Sequence, residues 1–219
     1  AHPDDDILGC GGFIAKYNTK TNIRVIFIAE GSSCRFPDLN KNLNKIQKTI
    51  ETRNNYAKDA LKVLGVKQVS FYNLPCGRLD STPIIEINKI IENELNNFKP
   101  HTVITHSEDD TNNDHRIVYR STLMATRPGA SKNLKTLLSF EVLSSTEWNF
   151  SKAFLPNHFE SISLAQLNLK WQALECFKSE IGKYPHPRSE EGLKTLAQFR
   201  GMQSGFKYAE AFKIIRNFK

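Results

Sequence analysis

No apolar run in this chain approaches the ~20 residues a membrane helix needs, and no signal-peptide pattern is present. Cysteine is sparse: Cys10, Cys34, Cys76 and Cys176 are widely spaced, with no Cys-x-x-Cys pair. That pattern excludes a cysteine-type zinc site and supplies no disulfide framework. Scattered reduced thiols point instead to a cytoplasmic protein. A dinucleotide-binding turn is missing as well, because Gly9-Cys10-Gly11-Gly12 lacks the Gly-x-Gly-x-x-Gly spacing that an oxidoreductase would use. Acidic residues are in deficit, 23 against 30 basic ones, giving a net charge of +7. The lysines are spread along helical segments, without the basic stripe and stacking aromatics of a nucleic-acid module, so no nucleic-acid partner is expected. The positive excess suits attraction of an anionic substrate. With no internal repeat, low-complexity segment or linker, residues 1–219 read as one domain.

Two polar clusters carry the chemistry. The chain opens on Ala1-His2-Pro3-Asp4-Asp5-Asp6, and Asn112-Asn113-Asp114-His115-Arg116 follows about half a chain later. His2 and Asp5 are three apart on a proline-stiffened turn, a spacing at which imidazole and carboxylate meet one borderline-soft ion such as Zn²⁺. His115 would supply a third ligand, leaving a fourth position for water, as in a catalytic rather than a structural zinc site. Asp4 stands beside a ligand without being needed as one, and is placed to take a proton from that water. The competing explanation is helix capping. Asp4 to Asp6 precede an expected helix, where carboxylates accept orphan N–H groups and suit the positive end of the dipole.

The first half has a βα rhythm. Helices are expected over Ile7–Asn18, Leu43–Leu64, Ile84–Phe98 and Asp114–Ala125, and strands over Ile23–Ala29, Val66–Asn73 and Thr102–Thr105. Gly65 and Pro100 terminate two of the helices. Alternating strands and helices imply a mainly parallel sheet flanked by helices, with ligands beyond the carboxyl ends of the strands. The strand that should deliver His2 is absent from the sequence, so an upstream segment is expected. The second half reads as strands Leu134–Val142 and His158–Ser163, helix Leu164–Ile181, the stiff loop Pro185-His186-Pro187-Arg188, helix Leu193–Gln203 and strand Tyr208–Ile215.

The opening motif through Gly12, the Asp114-His115-Arg116 cluster, Arg53 with Ala57, Ala60 and Leu64-Gly65, and the segments Thr146-Glu147-Trp148, Pro185 to Ser189, Arg200-Gly201 and Ala209 to Phe212 together resemble the PIG-L/LmbE family of zinc-dependent N-acetyl-sugar deacetylases. The resemblance implies a Rossmann-like α/β fold and one zinc per chain, or another divalent transition metal. It implies His2, Asp5 and His115 as ligands and Asp4 as general base. The implied reaction is hydrolysis of an acetamido group on an amino sugar, and the implied assembly a trimer or hexamer. Asp6 stands where the family more often has Glu. Asn112 stands where many members have a histidine, and an amide offers an oxyanion a hydrogen bond but no useful acid. A substitute histidine is sought in His186, held between prolines beside Arg188, or in His106 at the end of a strand. Arg53, His106 and Arg188 are candidates for substrate binding, and Asp114 for orienting a ligand histidine. A non-sugar amide as substrate and a non-catalytic carbohydrate-binding protein are the competing functions.

Overall fold

The computed structural model describes residues 1–218. Helix α1 (Asp5–Tyr17) leads into β1 (Arg24–Ala29), α2 (Leu43–Val63), β2 (Gln68–Leu74), α3 (Ile84–Phe98), β3 (Thr102–Thr105) and α4 (Asn113–Ala125). Then come β4 (Thr136–Phe140), β5 (His158–Ser161), α5 (Leu164–Glu175), α6 (Glu190–Ser204) and β6 (Ala209–Asn217). This is the expected α/β architecture. Strand β1 pairs with β2 in parallel, and β3 pairs with β4 in parallel. The mainly parallel expectation fits that half alone, since β4–β6 and β5–β6 are antiparallel, the four strands running β3-β4-β6-β5. The late strands lie outside the βα rhythm, so no crossover helix obliges them to run parallel.

Among the described residues β1 and β3 are not hydrogen-bonded to each other. A cavity of about 910 Å³ lies along them, lined by residues 23–28 and 101–106. The Ala29 N–H donates to the Ala1 carbonyl at 3.0 Å, which holds Ala1 beside this slot. The cavity meets the opening cluster through His2, Asp5 and Asp6, with His106 beside them, and the rest of its lining mixes apolar side chains with charged ones such as Arg24, Glu94 and Glu160.

Helix α1 explains how His2 to Asp5 are held. Ile7, Leu8 and Ile14 are buried, and a Cβ at Gly9 would stand 2.1 Å from the Phe140 ring, so only glycine allows this approach to β4. The helix breaks at Cys10, where φ is −144°. Such a break frees amides that would otherwise bond within the helix. The Gly12 and Phe13 N–H groups donate to Glu210 on β6 at 2.8 and 2.6 Å. Lys170 on α5 neutralises Glu210 at 2.6 Å and donates to the Leu8 carbonyl at 2.9 Å. The interior of the protein thus repairs the helix from outside.

Helix α5 ends at Glu175, six residues before the periodicity does. Phe177 and Ile181 continue the apolar pattern because they pack into the same core, but they do so from turns, with Phe177 N–H donating to Leu174 O. This turn carries Glu180 back toward the opening motif.

Candidate metal centre

Asp4 occupies the position before α1 but makes no side-chain cap bond, so the capping explanation fails for it. Its φ of 120° is a conformation that L-residues rarely adopt, strained at the point where its carboxylate turns inward. Arg53 Nη2 and Arg188 Nη1 both donate to Asp4 Oδ2 at 2.9 Å. Among the described residues no hydrogen bond reaches Oδ1. Arg53, on α2, also donates from Nε to the Pro3 carbonyl at 3.2 Å, and Arg188 from Nε to Ser144 Oγ at 2.5 Å. Burial is the largest influence on Asp4 and raises its pKa; the two guanidiniums oppose it without cancelling it.

His2, Asp5 and His115 offer donor atoms within 4.8 Å of one another, all buried. The orientation of the rings distinguishes this set from two that overlap it, His2 with Cys76 and Asp114, and His106 with Asp110 and His115. His2 Nδ1 faces Asp5 Oδ2 at 3.3 Å, while His2 Nε2 is bound to Asp114 Oδ2 at 2.9 Å. His115 Nε2 faces the same Asp5 oxygen at 3.2 Å, while Nδ1 faces Asp110 Oδ2 at 3.1 Å. Each histidine therefore turns one nitrogen to Asp5 and the other to a carboxylate behind it. That is the arrangement in which an outer carboxylate fixes the ring and raises its basicity toward a metal. The contacts of His115 lie off the hydrogen-bond line, leaving both of its buried nitrogens without a hydrogen-bond partner. A nitrogen, nitrogen and oxygen donor set with an orphaned imidazole lone pair fits a divalent transition metal. Among these groups, burial lowers and Asp5 and Asp110 raise His115, which ends at about 9. Burial is the largest influence on Asp5 and opposes its ionisation, but His115 and the other positive groups around it together hold the carboxyl well below its usual range.

The outer carboxylates are themselves anchored. Asp114, in the first turn of α4, accepts the Gly77 N–H at 2.6 Å and the Leu79 N–H at 3.2 Å. Asp110 accepts the Thr146 hydroxyl at 2.6 Å, the Asn112 N–H at 2.8 Å and the Ser145 hydroxyl. Asp110 and Glu180 escape sequence reasoning, because the partners that define them lie 35 and 127 residues away. Glu180 binds Arg53 and Arg35 at 2.8 Å and Arg188 at 3.4 Å, and its pKa falls to about 2: burial resists, but the Arg35 hydrogen bond and three guanidinium charges prevail.

The remaining candidates divide. Asn112 caps α4, its Oδ1 accepting the Asp114 N–H at 2.9 Å, so its carbonyl is engaged and only its NH₂ is free. His106 is buried and stacked on His115 with ring centroids 4.0 Å apart, its Nε2 3.5 Å from Asp5. It faces the ligand set rather than open solvent, and burial holds it well below its ordinary pKa. His186 is exposed, and its Nδ1 accepts the Arg188 N–H at 3.1 Å; it shares no hydrogen bond or ion pair with the metal-facing groups. Arg116 donates to the Asp110 carbonyl and to Asn113, bracing the loop. Trp148 is half exposed rather than filling the core.

Two expected results follow from these contacts. Glu180 has a depressed pKa, so its stabilisation is present above the unfolded value of 4.5 and lost as pH falls toward about 2. Glu180→Gln should melt below wild type above pH 4.5, and the two curves should converge on acidification; a gap independent of pH would remove the ionic explanation. Asn112→Ala should cost ~1 kcal/mol of stability through the lost cap, with bound metal unchanged. Denaturant unfolding with metal analysis checks both halves.

The profile of the PIG-L family, described as GlcNAc-PI de-N-acetylase, matches residues 1–126. An uncharacterized deacetylase of Escherichia coli K12, YaiS, is 28% identical over 184 residues, covering 82% of this chain and 88% of its own. N,N′-diacetylchitobiose deacetylase from Pyrococcus horikoshii superimposes with a TM-score of 0.75 at 20% identity, over 98% of this chain and 81% of that one. GalB from Pseudomonas putida KT2440, a 4-carboxy-2-hydroxymuconate hydratase, does so with a TM-score of 0.73 at 20% identity, over 98% and 93%. At such identities the structures share the fold, and the fold serves more than one reaction.

Proposed function

The chain belongs to the GlcNAc-PI de-N-acetylase (PIG-L) family of deacetylases, and on that premise we propose that it removes an N-acetyl group from an acetamido sugar or sugar conjugate by zinc-dependent hydrolysis. The observation that carries the reading is the pair of histidines that each face Asp5 with one nitrogen and an outer carboxylate with the other. His2, Asp5 and His115 would hold one Zn²⁺ per chain, and another divalent transition metal suits the same donors. When bound, the metal supplies Lewis acidity toward the amide carbonyl and lowers the pKa of water.

The chain's own residues supply the rest. Asp4 is the general base: Arg53 and Arg188 pin its Oδ2, leaving Oδ1 to take the proton of the attacking water. Carrying that proton, Asp4 can return it to the departing nitrogen, since an amine must be protonated before the C–N bond breaks. The NH₂ of Asn112 is available to an oxyanion, while its carbonyl remains on α4. As a second source of a proton for a bulky leaving group we propose His186, whose Nδ1 accepts the N–H of Arg188 in the same loop. Arg188 and Arg53 orient Asp4 first and substrate through it.

The test is to incubate zinc-loaded protein with acetylated amino sugars in free, phosphorylated and nucleotide-linked form. Loss of one acetyl group by mass, matched by equal acetate and primary amine, is the expected result. Turnover of non-sugar amides alone would move the substrate class, and binding without turnover would favour the carbohydrate-binding alternative.

A further inference from the structure

Two loops at the edge of the ligand set each carry a cysteine that the hydrolysis does not use. Cys34 lies in the turn Ser33–Arg35 after β1 and is exposed; Cys76 lies after β2 and is buried. Both are free, and their sulfurs stand 3.2 Å apart across 42 residues of sequence. Gly77 makes the approach possible, since its φ of +72° turns the chain and a Cβ there would stand 3.1 Å from the Cys34 Cβ. The other thiols are not matched in this way: Cys10 and Cys176 each bond a carbonyl of their own helix, Asp6 O and Gln172 O.

We propose that Cys34 and Cys76 form a reversible dithiol–disulfide pair, a modification site whose oxidant is a low-molecular-weight disulfide. Exposure assigns the order of events. Cys34 meets the oxidant, and its thiolate attacks one sulfur, releasing one small thiolate and leaving a mixed disulfide. Cys76 then loses its proton to solvent and attacks the Cys34 sulfur, releasing the second small thiol. Two protein thiols become one disulfide, and two electrons reduce the oxidant to two thiols. The hydrogen bond from the Cys76 thiol suits this order, holding Cys34 down to about 6 and Cys76 up.

The bond reaches the metal-facing groups through the backbone. A disulfide needs its sulfurs about 2.05 Å apart, so the two sulfurs must approach by over an ångström from the present 3.2 Å, drawing on the side chains and the turns that carry them. The Cys76 N–H is held by Glu30 at 2.8 Å, and the adjoining Gly77 N–H by Asp114 at 2.6 Å, on the carboxylate oxygen that also receives His2 Nε2. Closing the pair therefore disturbs the carboxylate behind His2. Loss of such an outer partner typically weakens metal binding about 10- to 100-fold. This last step rests on His2 being a ligand, as proposed above.

The test exposes zinc-loaded protein to oxidised glutathione, alkylates it in acid and maps its peptides by mass spectrometry. The expected product is a Cys34–Cys76 linked peptide lacking two hydrogens, reversed by dithiothreitol, with Cys10 and Cys176 unlinked. In Cys76→Ser the glutathione should remain on Cys34, and in Cys34→Ser neither adduct nor link should form. Wild type that keeps glutathione on Cys34, or leaves both thiols reduced, would overturn the pair. Zinc competition should show at least about tenfold weaker binding in the oxidised wild type and none of this change in treated Cys34→Ser. A link that left zinc affinity unchanged would overturn the coupling. Neither readout uses a substrate, so failure of the deacetylase reading is seen separately.

Discussion

In His115→Ala, bound zinc and acetyl-group hydrolysis are expected to vanish together. His115 is buried on the first turn of α4, with Asp5 on one side and Asp110 on the other. Removing the imidazole takes away one of three proposed donors and leaves two buried carboxylates facing an empty space. Breaking a buried charged pair by removing one partner typically costs ~3–5 kcal/mol, so part of the loss could come from unfolding. His115→Gln separates the causes, because it fills the volume and keeps a hydrogen-bonding group without the ligand nitrogen. A folded His115→Gln chain, by circular dichroism, with less than a tenth of wild-type zinc is the expected outcome. Full zinc occupancy in that variant would remove His115 from the ligand set.

Asp4→Asn should retain zinc and lose most of its rate, by about 10²- to 10⁴-fold as for other general bases. The substitution is conservative where it matters for structure: an amide oxygen can still accept from Arg53 and Arg188, which hold Oδ2 at 2.9 Å. It removes the basic oxygen and the negative charge between the two guanidiniums, which Glu180 still pairs. The loss should appear in kcat rather than KM, because proton abstraction belongs to the transition state. Wild-type kcat in a zinc-replete Asp4→Asn enzyme would assign the base to another group.

The sequence made the elements of the first half legible for local reasons. Pro83 and Pro100 bracket α3, and its apolar spacing gives the same bounds, Ile84–Phe98, that the fold adopts. The two polar clusters, and then the resemblance, pointed to His2, Asp5 and His115, and the fold sets their donors within 4.8 Å. Helix α5 was overextended because Phe177 and Ile181 keep helical spacing while packing from turns. Glu180 and Asp110 were illegible for a different cause. Neither has a local signature, and each is defined by charges or hydroxyls brought from distant loops. Asn112 drew attention as a replaced histidine, but its carbonyl is engaged in capping, a task any N-cap residue performs before a helix. The antiparallel pairing of β6 with β4 and β5 was hidden because strand direction depends on the path between strands, which no residue pattern records.

Anomalous diffraction at the zinc edge, from crystals of zinc-loaded protein, tests the central claim most directly. One strong peak per chain is expected, bounded by His2 Nδ1, an Asp5 carboxylate oxygen and His115 Nε2, with Asp4 adjacent and unligated. A peak seated instead on Cys76 and Asp114, or no peak between His2 and His115 at full zinc loading, would contradict it.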